Sequence, residues 1–229
     1  MAQVMRSLQE QHQFNLTRWE ELENDPEVGA WPGRVETDRE GNIIMIPPGD
    51  VGHGMRIIRF GNLFTEYLPH GIALGEFAVS TSDGNKIPDC GWASEEHPEF
   101  QWLLADEPET QEKPKVLKRA PEICVEILSP SNTPAKIEAK KRLYFEVSAK
   151  EVWVCDRDGA MEFFGPGGKL PHSNLCPDWP PVVPLRGARV VIGERGFQRE
   201  LNREREQGPV RPRRAEDGPS KEGKQEPGR

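Results

Sequence analysis

The sequence predicts an α/β (α+β) domain in which a mixed central sheet is flanked by at least two helices. Three observations carry that prediction. Phe60, Leu63, Phe64 and Tyr67 recur at spacings of three and four, the period of an amphipathic helix. The run Pro134 to Val147 opens on proline behind a capping Thr133 and is filled with helix formers. Short apolar runs such as PEICVEILS and EVWVCD, bounded by prolines and turn residues, stand between the helices as strands.

In chain order, SLQEQHQFNLTRWEELE reads as a short packing helix that stops at Asp25-Pro26. GRVETDREGNIIMIPP reads as a hairpin around the turn Asp38 to Asn42, with Val35, Ile44 and Ile46 as apolar positions. A helix from Gly52 to Leu68 follows, with Met55 and Ile58 ahead of its apolar stripe, and Pro69 and Gly71 end it. IALGEFAVST, KIPDCGWAS and PEICVEILS are three successive strands. His97 to Arg119, rich in prolines and acids, is expected to be an exposed excursion. After the helix Pro134 to Val147 come strands EVWVCD and MEFFG around the turn Arg157 to Gly159, and a late strand RVVIGE. GPGGK lacks the first glycine and the hydroxyl residue of a phosphate loop, so it is a turn.

Composition bounds the rest. Residues 203–229 carry eight Lys/Arg, six Asp/Glu, four Gly and four Pro, with Val210 the one sizeable apolar group, and are expected to be a disordered charged tail. The organisation is then an N-terminal helical extension (1–30), one domain (31–202) and the tail (203–229). The whole chain has net charge −8. The tail's surplus of two positive charges leaves about −10 on the remainder, which opposes a large non-specific nucleic-acid surface. With no apolar run of spanning length and no signal-like start, a soluble cytoplasmic protein without membrane contact is expected. Cys90, Cys124, Cys155 and Cys176 are far apart and read as reduced structural thiols. The five histidines show no zinc spacing.

Three polar residues stand out against this background. Alternation in PEICVEILS puts Ile123, Val125 and Ile127 on one face and Glu122, Cys124, Glu126 and Leu128 on the other, so Glu126 lies in an apolar run and needs a partner. At 100° per residue, Ile137, Lys140, Leu143, Tyr144 and Val147 share a helix face, with Glu138, Lys141 and Arg142 pointing elsewhere. Lys140 is therefore the lysine aimed inward. The bland alternative is that its stem snorkels to solvent. Pro88 blocks a ladder hydrogen bond and frees Asp89 to face a cleft, although a loop Asp is the commoner meaning of Pro-Asp. Two carboxylates suit Mg2+ or Mn2+, which polarises a phosphodiester and lowers the pKa of attacking water. A lysine supplies a compact point charge whose pKa can be tuned beside that water.

On these residues the chain resembles the PD-(D/E)xK nuclease superfamily, and within it the Uma-two family of restriction-endonuclease-like proteins, over roughly Trp31 to Gly165. The matching text is GRVETDREGNIIMIPP, His53 heading the long helix, IPDCGWAS, APEICVEILSPSN and KKRLYFEVSAKEVWVCD. The resemblance implies a restriction-endonuclease-like mixed sheet, Asp89 and Glu126 as metal ligands, Lys140 as the catalytic lysine, and Glu36 and His53 as secondary site residues. Glu36 as a surface acid and His53 as a packing residue are the plain alternatives. The sequence departs from the superfamily motif at Leu128, where the motif places its lysine, and the resemblance to the Uma-two family implies that Lys140 on the next helix takes that role.

The leading function is a metal-dependent endonuclease acting on DNA, for which a homodimer would bring two sites to two strands. A catalytically inactive nuclease-fold module that docks partners through an acidic surface is the alternative, and net charge favours it. A third reading is a metal hydrolase acting on smaller phosphate esters.

Overall fold

The computed structural model describes residues 6–105, 108–130 and 132–185. The expected strand RVVIGE, the tail from Arg203 and Ser131 of the SPSN motif lie outside the described residues.

Helix α1 (Leu8–Glu23) starts with a reciprocal cap, in which Ser7 accepts from the Glu10 amide and Glu10 accepts from the Ser7 amide. A one-turn helix, α2 (Pro26–Gly29), follows at the expected Asp25-Pro26 stop, and strands β1 (Arg34–Thr37) and β2 (Ile43–Ile46) form the expected hairpin. Its turn is tied by Asp38, whose Oδ1 accepts from the amides of Glu40 and Asn42. Burial favours the polar strand here: β1 buries Val35, Glu36 and Thr37, while Ile44 and Met45 on β2 are exposed.

Helix α3 (Val51–Tyr67) is capped by Asp50, which accepts from the His53 amide. Phe60, Leu63 and Phe64 are fully buried, as their spacing predicts, and Phe64 packs on Trp153 and Trp179. Met55 and Ile58 fall on the solvent side.

The expected strands IALGEFAVST and KIPDCGWAS each divide between two sheets. The first becomes β3 (Gly71–Leu74) and β4 (Ala78–Thr81), and the second becomes β5 (Gly84–Lys86) and β6 (Cys90–Ser94). The segment 97–119 is anchored rather than an exposed excursion: after two short 3-10 turns, with Phe100 buried, β7 (Val116–Leu117) pairs parallel with β4. Strand β8 (Ile123–Ile127), helix α4 (Pro134–Glu146) and strand β9 (Glu151–Cys155) form a parallel crossover unit, followed by β10 (Met161–Gly165) and β11 (Gly168–Leu170). GPGGK is the turn between β10 and β11. The main sheet runs β11-β10-β9-β8-β6-β3, mixed in direction, and a smaller sheet runs β5-β4-β7. This is the mixed, helix-flanked sheet that the sequence predicts.

The faces of β8 serve two cores, as its alternation predicts. Ile123, Val125 and Ile127 pack with Phe60, Phe64 and Trp153, and Cys124 packs with Tyr144 and Val147. All four cysteines are buried and free, and Trp153 is core. No described helix is long and apolar enough to cross a membrane.

Helix α1 joins the small sheet through polar groups. Asn15 donates to Ser80 Oγ (2.8 Å) and Thr81 O (2.9 Å), and its carbonyl accepts from Asn85 (3.0 Å). A second buried polar node is Glu151, which accepts from Trp153 Nε1 (2.6 Å), Ser173 Oγ (2.7 Å) and the amides of Asn174 and Leu175. Glu151→Ala strands those buried donors and is expected to cost about 3 kcal/mol in urea unfolding. A loss under about 1 kcal/mol would contradict this role.

Candidate active site

The gap between β5 and β6 sets the geometry. Pro88 has no N–H to donate, so the chain leaves the small sheet at Ile87 and enters the large one at Cys90. Asp89 falls at that crossing. Its own amide donates to Val125 O (3.0 Å), and its Oδ2 accepts from the amide of Ile127 at 2.6 Å. The carboxylate is thereby held against the peptide that links Glu126 to Ile127.

Glu126 is 2 % exposed. Both its oxygens accept from Lys140 Nζ, at 3.1 and 3.2 Å, and Oε1 also accepts from the Tyr144 hydroxyl at 2.6 Å. Lys140 points inward from α4, as its helix face predicts. Its Nζ also pairs with Glu36 Oε1 at 2.9 Å and donates to Ile87 O at 3.3 Å. Glu36 Oε1 takes the Ile87 amide as well, at 3.1 Å.

His53 comes from the first turn of α3, with Nε2 3.3 Å from Asp89 Oδ1. All five sequence-predicted residues, Asp89, Glu126, Lys140, Glu36 and His53, therefore belong to one linked cluster. Glu36 is a buried partner of Lys140 rather than a surface acid.

Three further residues join them. Arg34 donates to Asp89 Oδ1 at 2.5 Å and lies 3.3 Å from Glu76 Oε1, and Tyr144 fixes Glu126. Arg34 precedes Glu36 by two on a strand, so alternation alone puts both on one face. Tyr144 follows Lys140 by four on a helix, the neighbour spacing. Glu76 sits in the break between β3 and β4, for which the sequence offers only Gly75. Lys141 points away from this cluster, as its helix face predicts. It is buried, with Nζ 3.4 Å from the Phe164 ring centroid and 2.5 Å from Glu138.

The charges are unbalanced. Four carboxylates, from Glu36, Glu76, Asp89 and Glu126, face two permanent cations, Arg34 and Lys140. Burial pushes the Glu126 carboxyl up to about 7, against the pull of Lys140 and Tyr144, and Asp89 and Glu36 add to the rise. Burial would push Lys140 down, but Glu126, Glu36 and Asp89 outweigh it and hold the ammonium protonated well above the ordinary lysine range. Burial likewise works against ionised Asp89, yet His53, Arg34 and the Ile127 amide keep its carboxyl below the ordinary range. The Asp89 carboxylate in turn raises His53. Hard oxygen donors and a deficit of positive charge fit a divalent cation.

Glu126 binds its proton more tightly in the folded chain, at about 7, than at its ordinary 4.5. Its contribution to stability is complete below the ordinary value and is lost as pH rises through about 7. His53, also raised, acts in the same direction above 6.5. Urea unfolding in chelator is therefore expected to show about 2 kcal/mol less stability at pH 8 than at pH 5, with a flatter profile in Glu126→Gln. The same slope in both proteins would contradict the assignment.

Among solved structures, the chain is similar to the crystal structure of "a putative nuclease belonging to DUF820" from Anabaena variabilis ATCC 29413. Identity is 18%, the match covers 59% of this chain and 75% of that one, and the TM-score is 0.47. No curated protein matches the chain. The model of the Uma2 family, described as "Putative restriction endonuclease", matches residues 19–205. The chain belongs to the Uma2 family of restriction-endonuclease-like proteins.

Proposed function

We propose that this chain is a Mg2+- or Mn2+-dependent endonuclease that hydrolyses phosphodiester bonds of DNA. The observation that carries this reading is Lys140 Nζ held between Glu126 and Glu36, with the Asp89 carboxylate fixed at the peptide following Glu126. The metal, held by Asp89 and Glu126, would polarise the phosphodiester and lower the pKa of the attacking water.

The protein's own residues supply the remainder. Tyr144 and Lys140 orient Glu126, and the Ile127 amide orients Asp89. Glu126 and Glu36 hold the Lys140 ammonium at the site, where its charge would stabilise the phosphate oxygens. DNA as substrate rests on membership of a restriction-endonuclease-like family; the open cleft beside α1 sets Lys113, Lys115, Lys118 and Arg119 against Glu20, Glu99 and Glu112 and shares no lining residue with the site.

A second reading, an inactive binding module of the same fold, is favoured by enclosure. Asp89 and Glu126 are each 2 % exposed, and Arg34 and Glu36 of β1 cover them. Supercoiled DNA incubated with Mg2+ or Mn2+ separates the two. Wild type is expected to nick it, and Lys140→Ala to be slower by about 100-fold or more. Equal background cleavage by both would leave the binding module standing.

A further inference from the structure

We infer that His53, Glu76 and Asp89 form a second divalent-cation position, selective for a transition-metal ion such as Mn2+ over Mg2+, beside the position that Asp89 and Glu126 provide. This inference rests on the proposed function only in taking Asp89 as common to both positions.

One ligand atom from each of the three residues lies within 4.8 Å of the others. An ion bound about 2.2 Å from each would span that distance with a few tenths of an ångström of side-chain movement. The second observation is His53 itself. Its side chain is 10 % exposed and both ring nitrogens are buried; Nε2 lies 3.3 Å from Asp89 Oδ1, and Nδ1 makes no hydrogen bond. A buried ring nitrogen in that state calls for a ligand or another specific reason. The ring is also fixed in advance: a Cβ at Gly49 would lie 2.5 Å from His53 Cδ2, so glycine allows the backbone to press against it. The Asp50 cap anchors the His53 amide at 2.8 Å.

Arg34 supplies the electrostatic argument. Its guanidinium nitrogen sits 2.5 Å from Asp89 Oδ1 and 3.3 Å from Glu76 Oε1, so two carboxylates already converge on a cation there. A divalent ion would replace that single charge, and Arg34 would withdraw along the hairpin face. Glu76, with its side chain 44 % exposed, opens the position to solvent. The ligand set decides the class of ion. One imidazole nitrogen with two carboxylates favours Mn2+ or a later first-row metal, whereas Mg2+ prefers oxygen alone.

The test counts Mn2+ retained per full-length chain by electron paramagnetic resonance in a large excess of Mg2+. Wild type is expected to keep one ion. Glu76→Gln, at an exposed side chain that leaves the fold intact, and His53→Ala are expected to keep none. Glu126→Gln is expected to keep it, because that residue belongs to the exchangeable oxygen position. No retained ion in wild type, an ion that survives Glu76→Gln, or one lost on Glu126→Gln would overturn the second position. Failure of the proposed nuclease site reads differently: calorimetric Mg2+ binding by wild type would be unchanged in Glu126→Gln.

Discussion

The ammonium of Lys140 lies within 3.2 Å of buried carboxylates from two different elements, Glu126 on β8 and Glu36 on β1. Taking an ionised carboxylate out of water costs several kcal/mol unless a partner of opposite charge meets it with good geometry. One lysine serving two acids therefore ties a helix, a central strand and a hairpin to a single point. Arg34 does the same for Asp89 from the same face of β1. Four acids against two cations remain short of positive charge; burial chiefly raises the Glu126 pKa, and the neighbouring Asp89 and Glu36 carboxylates add to it. A divalent cation is the counter-ion with the charge to relieve it.

The backbone makes this arrangement possible at one proline. Pro88 interrupts what would be a continuous strand, and the chain passes from the small sheet to the large one through Asp89. Because β8 is parallel to β9, the connection between them must cross over, and α4 is that crossover. The helix lies against the β8 face that carries Cys124 and Glu126, so Lys140 meets Glu126 from above. The opposite face of β8 packs on Phe60 and Phe64 of α3, whose first turn carries His53.

Much of this was legible in residue spacing. The two-residue period of PEICVEILS isolates Glu126 among apolar neighbours, and the 3.6-residue period of α4 selects Lys140. The same periods reach Arg34 and Tyr144, once charged and hydroxyl groups are counted alongside apolar ones. Other features depend on tertiary context. IALGEFAVST has the composition of one strand, and its division between sheets follows from pairing with β6 on one side and β7 on the other. Met55 and Ile58 fit a helix stripe yet face solvent, since α3 turns Phe60, Leu63 and Phe64 toward the core. Lys141 is buried by its contact with Phe164 on β10, a strand twenty or more residues away, which no local pattern on α4 encodes.

Diffraction at the manganese edge from crystals grown with Mn2+ tests the central claim most directly, that these acids enclose a seat for a divalent cation. The account predicts an anomalous peak roughly 2.2 Å from carboxylate oxygens of both Asp89 and Glu126, with Lys140 still joined to Glu36. The absence of any peak there, with Asp89 still paired to Arg34 and Glu126 to Lys140 at saturating Mn2+, would contradict it.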